Sequence, residues 1–138
     1  MLKNAMAAVR DMKWPNFELL VAEGFRLQGF LVTEVRELGA DGGVNMLLAK
    51  GEDRFLVQCE DWQAESIEAG AVQELAKLMA VQGAAGGFVV TCGDPTKEAA
   101  ALARERKIQF VNGPKLLAMI DKARTTITAP LTARLRVR

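Results

Sequence analysis

The hydrophobic and polar positions of the chain change period several times, and each change predicts a new element. Residues 14–28 carry apolar side chains at helical spacing, and Gly29 follows as a helix stop. Residues 30–38 mix β-branched and charged residues, which predicts a half-exposed strand. Val44–Ala49 and Arg54–Glu60 predict two more strands joined by a short turn. The first half of the chain therefore predicts a helix and three strands, of which the last two form a hairpin.

The period returns to 3.6 residues from Ser66 to Gly83, which predicts a second long helix. Its predicted buried stripe consists of Ile67, Ala71, Leu75, Leu78 and Met79. The short apolar run Gly86–Cys92 then has the pattern of a central strand that is buried on both faces.

Asp94 and Pro95 predict an N-terminal cap and first residue for a helix that includes Lys97–Lys107. Ile108–Val111 predicts a last short strand, and Pro114–Ala123 predicts a final helix. The chain is therefore expected to be an α/β domain with the element order α-β-β-β-α-β-α-β-α. We expect an N-terminal extension at 1–13, the domain itself at 14–121 and a C-terminal arm at 122–138.

Composition narrows the chemistry that this domain can perform. Half of the 138 residues are hydrophobic and none is histidine, which indicates an ordinary soluble domain and excludes Ser-His or Cys-His catalysis and the usual zinc sites. Cys59 and Cys92 each lie in an apolar run, which predicts reduced, buried thiols. No run approaches the roughly 18 apolar residues of a membrane span, so we expect a cytoplasmic protein.

The predicted arm differs from the rest of the chain in charge and pattern. Residues 1–121 hold 13 basic and 17 acidic side chains, a net charge of −4, whereas residues 122–138 hold five basic side chains and no acid. In residues 124–138, threonines alternate with aliphatic residues around Pro130. Three interpretations stay open for this arm: an added edge strand, an arm exchanged with another subunit, and a mobile basic tail.

The hairpin brings polar side chains together. If Ala49 lies opposite Arg54, the same register puts Asn45 opposite Gln58, with their side chains on one face about 5 Å apart at Cβ. Glu60 lies on that face, one pleat further along. The sequence therefore predicts a polar cluster at the open end of the hairpin.

Five landmarks in this order make the chain similar to the Mrr-type restriction endonuclease family over roughly residues 14–120. They are Trp14-x-x-Phe17-Glu18, Asp41-Gly42-Gly43-Val44-Asn45, Val57-Gln58-Cys59 with Trp62, Phe88-Val89-Val90-Thr91 and Asn112-Gly113-Pro114. The resemblance implies a restriction-endonuclease-like fold, a mixed central sheet flanked by helices. It also implies a nuclease core in which acidic residues hold Mg²⁺ and a lysine assists attack by water.

The residues that correspond to this core depart from the family's pattern. Glu18 matches the acid on the first helix, and Gln58 matches the strand position. Asn45 stands where the family has Asp, and Glu60 stands where it has Lys. The first change removes a charged metal ligand and the second places negative charge beside the scissile phosphate, so the resemblance predicts a DNA-associated domain with an inactive nuclease site and no cofactor.

Two other functions stay open. In the first, Glu18, Glu60 and Asp41 hold Mg²⁺ or Mn²⁺ in a rearranged nuclease site. In the second, the fold is a scaffold for protein interaction, and the arm joins copies of the chain into a homo-oligomer. If DNA is the partner, its backbone is expected to contact Arg134, Arg136, Arg138, Arg54 and Lys13.

Overall fold

The structure is a computed structural model that describes residues 7–34, 46–59 and 66–128. Its helices are α1 (Trp14–Leu27), α2 (Ala69–Gln82), α3 (Lys97–Glu105) and α4 (Gly113–Thr128). Its strands are β1 (Leu31–Glu34), β2 (Met46–Lys50), β3 (Asp53–Cys59), β4 (Ser66–Ile67), β5 (Gly86–Val90), β6 (Asp94–Pro95) and β7 (Ile108–Val111). None of these helices is long and apolar enough to span a bilayer.

Five of the strands form one mixed sheet in the order β1-β2-β3-β5-β7. Strands β1, β2 and β3 are antiparallel neighbours, whereas β3, β5 and β7 run parallel. Parallel neighbours need crossover connections, and helices α2 and α3 supply them. The predicted α/β architecture, a mixed central sheet flanked by helices, is therefore confirmed.

Two hydrophobic clusters cover the two faces of the sheet. On the α1/α4 face, Phe17 and Phe25 of α1 and Leu116 and Ile120 of α4 pack with Val57 and the side chains that share its face. On the α2/α3 face, Leu75 and Met79 of α2 and the alanines of α3 pack with Leu56 and Val89. The alternation of side chains along β3 thus assigns residue 57 to one cluster and residue 56 to the other.

Gly87 on β5 explains why α2 lies so close to the sheet. A Cβ atom at this position would lie 2.9 Å from Met79 Sδ and 3.1 Å from Leu75 Cδ2. A larger residue at position 87 would displace the ends of these two side chains, so the glycine lets Leu75 and Met79 rest directly on the strand.

The predicted hairpin register is confirmed. Ala49 lies opposite Arg54, and the ladder continues as far as Met46 opposite Val57. The turn is shorter than expected because Lys50 already pairs with Asp53, which leaves Gly51 and Glu52 to close it, with Gly51 at φ +64°.

Asp94 and Pro95 do not cap α3. They form β6, which pairs in parallel with β4, and the predicted start of α2 at Ser66 is wrong for the same reason. The N-cap of α3 is Thr96, whose Oγ1 accepts a hydrogen bond from the Ala99 amide at 3.1 Å. A backbone hydrogen bond from Thr96 N to Ile67 O, 3.0 Å long, adds to this small two-stranded sheet.

The last helix is longer than predicted and continues to Thr128. The Thr125 and Thr126 hydroxyls donate to the carbonyls of Asp121 and Lys122 at 3.0 and 3.1 Å, one turn earlier in the helix. The strand interpretation is therefore wrong for residues 124–128, and the remainder of the arm lies outside the described residues.

Candidate functional site

The parallel strands β3, β5 and β7 end together at one end of the sheet, here called the carboxyl end. The β2–β3 turn lies at the opposite end, here called the turn end. Open α/β sheets bind ligands at the carboxyl ends of their strands, where backbone and loop residues converge. The predicted site position Gln58, the last residue but one of β3, lies at this end.

Gln58 projects from the α2/α3 face and is only 2% exposed. It pairs with Val89 of β5 and follows Leu56 on the same face, and both neighbours belong to the aliphatic cluster. Burial of an amide is unfavourable unless hydrogen bonds compensate it. A neutral, buried amide therefore occupies the strand position that the sequence assigned to the site.

Glu18 reaches the carboxyl end from the other face. Helix α1 belongs to the α1/α4 face, and Lys50 Nζ donates to Gln28 O at 3.0 Å, which fixes the end of the helix near the turn end. Arg10 precedes the helix, and its Nη2 donates to the Cys92 carbonyl at 3.4 Å, just beyond β5. Glu18, 5% exposed and one turn into α1, is thus at the same end as Gln58 but on the opposite face.

The other predicted site residues lie outside the described ranges: Asn45, Glu60 and Asp41. The arm residues predicted to contact DNA, Arg134, Arg136 and Arg138, lie outside them too. Arg54 and Lys13 are both described and both exposed. Arg54 lies four residues before Gln58 on β3, about 13 Å along the strand, and shares its face. Lys13 is the N-cap residue of α1 at the carboxyl end.

Glu18 is the one of the three residues predicted to hold a divalent cation that lies in the described part of the chain. Mg²⁺ and Mn²⁺ prefer several charged oxygen ligands. Glu18 supplies one carboxylate, and the described site position Gln58 supplies a neutral amide. Among the residues that the structure describes, no group of three or more His, Cys, Asp or Glu side chains could hold a metal ion.

Polar groups that the sequence did not assign to the site hold the loop after β5. Thr91 is fully buried, and its Oγ1 accepts a hydrogen bond from the Gly93 amide at 3.0 Å. Asn112 Nδ2 donates to Gly93 O at 2.9 Å and to Asp94 Oδ1 at 3.3 Å. The sequence signal at this position is Asn112-Gly113-Pro114 at the start of α4, one of the five family landmarks.

Cys59 and Cys92 also lie at the carboxyl end of the sheet. Cys92 is buried, whereas Cys59, at the end of β3, is half-buried rather than buried as predicted. Burial raises the pKa of the Cys92 thiol, and the nearby Arg10 guanidinium opposes that rise. The raised pKa keeps Cys92 a thiol at neutral pH, which makes it a poor nucleophile.

Solved structures share this fold. The chain is similar to the DNA modification-dependent restriction endonuclease AspBHI, with a TM-score of 0.66 and 14% identity over 88% of this chain and 35% of that one. It is also similar to the MspJI restriction endonuclease in complex with a 27-mer oligonucleotide, with a TM-score of 0.58 and 18% identity over 96% of this chain and 36% of that one. The chain thus spans about a third of the length of either neighbour.

Sequence comparisons give the family. No curated protein sequence matches the chain. The Mrr_cat family model, described as a restriction endonuclease, matches residues 9–120. The match begins five residues before the predicted domain and covers α1, α2 and α3 in full and α4 as far as residue 120. Since this match spans most of the chain, the chain belongs to the Mrr-type restriction endonuclease family, and its similarity in fold to solved restriction endonucleases agrees with that assignment.

Proposed function

We propose that this restriction-endonuclease-like domain binds duplex DNA but no longer cleaves it. The observation that carries the proposal is the pair of substitutions at the two most demanding positions of the family's site, Asn45 and Glu60. The described hairpin ladder, which ends with Met46 opposite Val57, supports it because it has the register from which the pairing of Asn45 with Gln58 was predicted.

Each substitution opposes a specific step of metal-assisted phosphodiester hydrolysis. An Asn amide keeps an oxygen but lacks the charge that makes Asp a strong ligand for a hard cation. A Glu at position 60 repels the negative charge that develops at the phosphate, where a Lys would stabilise it. Gln58, a third residue of the predicted site, is neutral and buried and adds no charge that could compensate.

The proposed DNA contacts rest on charge. Arg54 is exposed on the same sheet face as Gln58, and Lys13 is exposed at the carboxyl end. Together with Arg134, Arg136 and Arg138, these side chains would neutralise phosphates and give little discrimination between base sequences. The complex of MspJI with an oligonucleotide supports DNA as the partner.

The first experiment is nicking of supercoiled plasmid in Mg²⁺ and in Mn²⁺ by the protein and by Asn45→Asp/Glu60→Lys. We expect the protein to be inert and the double variant to nick, because both missing charges are then present. The matched control is Asn16→Asp/Glu52→Lys, which makes the same two changes at exposed positions on α1 and in the hairpin turn. Cleavage by the unaltered protein would contradict the proposal.

Binding is tested separately by the salt dependence of affinity for a duplex oligonucleotide. Contacts to several phosphates predict that log Kd changes with log salt concentration by about 0.9 per phosphate contacted. Replacement of Arg134, Arg136 and Arg138 by Ala should reduce that slope by about three. If the protein shows no measurable affinity for DNA at low salt, the scaffold function is favoured and the DNA proposal fails.

The rearranged metal site is a second candidate because Glu18 is a carboxylate almost completely buried at the carboxyl end. It predicts thermal stabilisation by Mn²⁺ that is lost in Glu18→Gln and in Glu60→Gln. Glu52→Gln, in the exposed turn, is the control for nonspecific binding of the cation. Equal melting temperatures with and without Mg²⁺ or Mn²⁺ would exclude this site.

A further inference from the structure

A groove with a volume of about 390 Å³ lies between α1, α4 and the edge strand β7. Its floor is the half-buried Phe88 on the α1/α4 face of the sheet, and the buried Phe25 and Val111 lie beneath it. Leu27, at the end of α1, lies on its lip and is 47% exposed, one of four large hydrophobic side chains exposed to this degree in the described part of the chain. The groove therefore offers apolar surface on the face opposite Gln58.

Helices α1 and α4 pack against each other in one hydrophobic cluster, and the groove opens beside the point where Gly24 faces Met119. A Cβ atom on Gly24 would collide with Met119, whose Cγ lies 2.1 Å from that position. The Met119 side chain thus rests on the backbone of α1 and closes one side of the groove. Beyond this contact, the cavity stays open over the exposed Gln109 of β7.

The rim of the groove is positively charged. Lys115 and Lys122 line it from α4, and both are exposed. They are seven residues apart, so they lie on the same side of the helix, about 10.5 Å apart along its axis. No acidic side chain is among the described residues that line the groove.

We propose that this groove binds an acidic amphipathic helix of a partner protein. Aliphatic side chains of that helix would cover Leu27 and the exposed part of Phe88, and two carboxylates spaced by two turns would contact Lys115 and Lys122. An amphipathic helix that places its apolar face in a groove is a common mode of peptide recognition. Opposite charges at the rim fix its register and exclude basic sequences.

Charge and shape argue against two other occupants. The remaining arm of this chain, residues 129–138, carries Arg134, Arg136 and Arg138 and would be repelled by the two lysines. A DNA backbone would contact the lysines but would leave the aromatic floor uncovered, because phosphates and sugars offer no apolar side chain of matching size.

The test uses a fluorescein-labelled, alanine-based helical peptide with two glutamates seven residues apart and two leucines between them. Fluorescence anisotropy should show binding to the full chain, about tenfold weaker binding of a counterpart with glutamine in place of both glutamates, and at least tenfold weaker binding to Lys115→Glu/Lys122→Glu. A counterpart with two lysines should prefer that double variant. Lys77→Glu/Lys97→Glu, exposed lysines of the α2/α3 face, is the matched control and should bind as the unaltered chain does.

Absence of binding, equal binding of the glutamate and glutamine peptides, or equal loss in both double variants would overturn the proposal. Two further measurements would detect the alternative occupants of the groove, DNA and a second copy of this chain. A duplex oligonucleotide that displaces the peptide and binds Lys115→Glu/Lys122→Glu more weakly would make DNA the occupant. Light scattering that shows a dimer of the unaltered chain and a monomer of that variant would make the occupant a second copy. Either result would also overturn the proposal.

Discussion

The two ends of the central sheet differ in the side chains that lie there, aromatic at one end and polar at the other. Towards the turn end, four phenylalanines, Phe25, Phe30, Phe55 and Phe88, lie with ring centroids 5.1 to 6.1 Å apart, and Lys50 Nζ lies 4.8 Å from the centroid of Phe30. The carboxyl end, by contrast, holds polar side chains: the Gln58 amide, the Thr91 hydroxyl, the Glu18 carboxylate and the Arg10 guanidinium.

Because of this difference, aromatic packing at the turn end contributes mainly to stability, whereas the polar groups at the carboxyl end are suited to a functional site. Edge-to-face and tilted aromatic pairs add stability beyond the area that they bury, and each lost ring leaves a cavity. Buried polar groups add little net stability when they are hydrogen-bonded and cost stability when they are not. A chain that keeps such groups at one end of its sheet keeps them for a site or for the loops that shape one.

The largest expected effect is at the turn end. Phe25→Ala should lower the free energy of unfolding by about 3–5 kcal/mol, because Phe25 is fully buried and contacts both Phe30 and Phe88. Denaturation by urea measures the change, and Leu19→Ala, half-exposed on the same helix, is the control. A loss below about 1 kcal/mol would contradict the contrast between the two ends.

At the carboxyl end, Asn112→Ala should cost about 1–3 kcal/mol, because the carbonyl of Gly93 and the carboxylate of Asp94 lose their donor. Gln73→Ala, an exposed amide on α2, should change stability very little and serves as the control. The same urea titration measures both variants. If Asn112→Ala is as stable as the unaltered chain, this hydrogen bond does not hold the loop.

Thr96→Ala should cost about 1 kcal/mol, since the Ala99 amide loses its cap. Thr96→Ser retains the hydroxyl and should recover most of that loss. Equal destabilisation by Ala and Ser would indicate that packing of the threonine methyl group, rather than the cap, supports the start of α3.

The smallest effect concerns Cys92. Burial raises the pKa of its thiol in the folded state above the unfolded value of 9.0, so the unfolded chain loses its proton first as the pH rises. The thiol's contribution is therefore complete below pH 9.0 and declines above it. Urea titrations at pH 8 and about pH 10 should show a larger loss for the unaltered chain than for Cys92→Ala. Equal losses would contradict the shifted pKa.

Local patterns predicted most of the fold. Helical spacing predicted the ends of α1 and α3 to within about two residues, and β7 was predicted with the bounds that the structure has. The hairpin register was predicted from the single pair Ala49 and Arg54. The small sheet of β4 and β6 was missed because its two strands are two residues each and owe their existence to pairing across 28 positions of the chain. The extension of α4 was missed because threonines at alternate positions favour strands, whereas here two of them bond within the helix.

The candidate site was predictable only in part. The alternation of side chains in β3 indicated that Gln58 would face away from Val57, and the structure agrees. Sequence alone did not indicate that Glu18 approaches from the opposite face, because that depends on the face of the sheet against which α1 packs. The hydrogen bonds of Asn112 were not predictable because its partners, Gly93 and Asp94, precede it by a whole helix and strand.

Asn112 bonds to the loop after β5, whereas Phe25 contacts two other rings in the interior. A change of the polar residue is therefore expected to cost less stability than the loss of the ring, so selection for a folded chain acts more strongly on the turn end than on this position. A lineage can lose its original reaction by this route and survive long enough to acquire another use for the same scaffold. The turn end of this sheet can thus keep the chain folded while residues at the carboxyl end change.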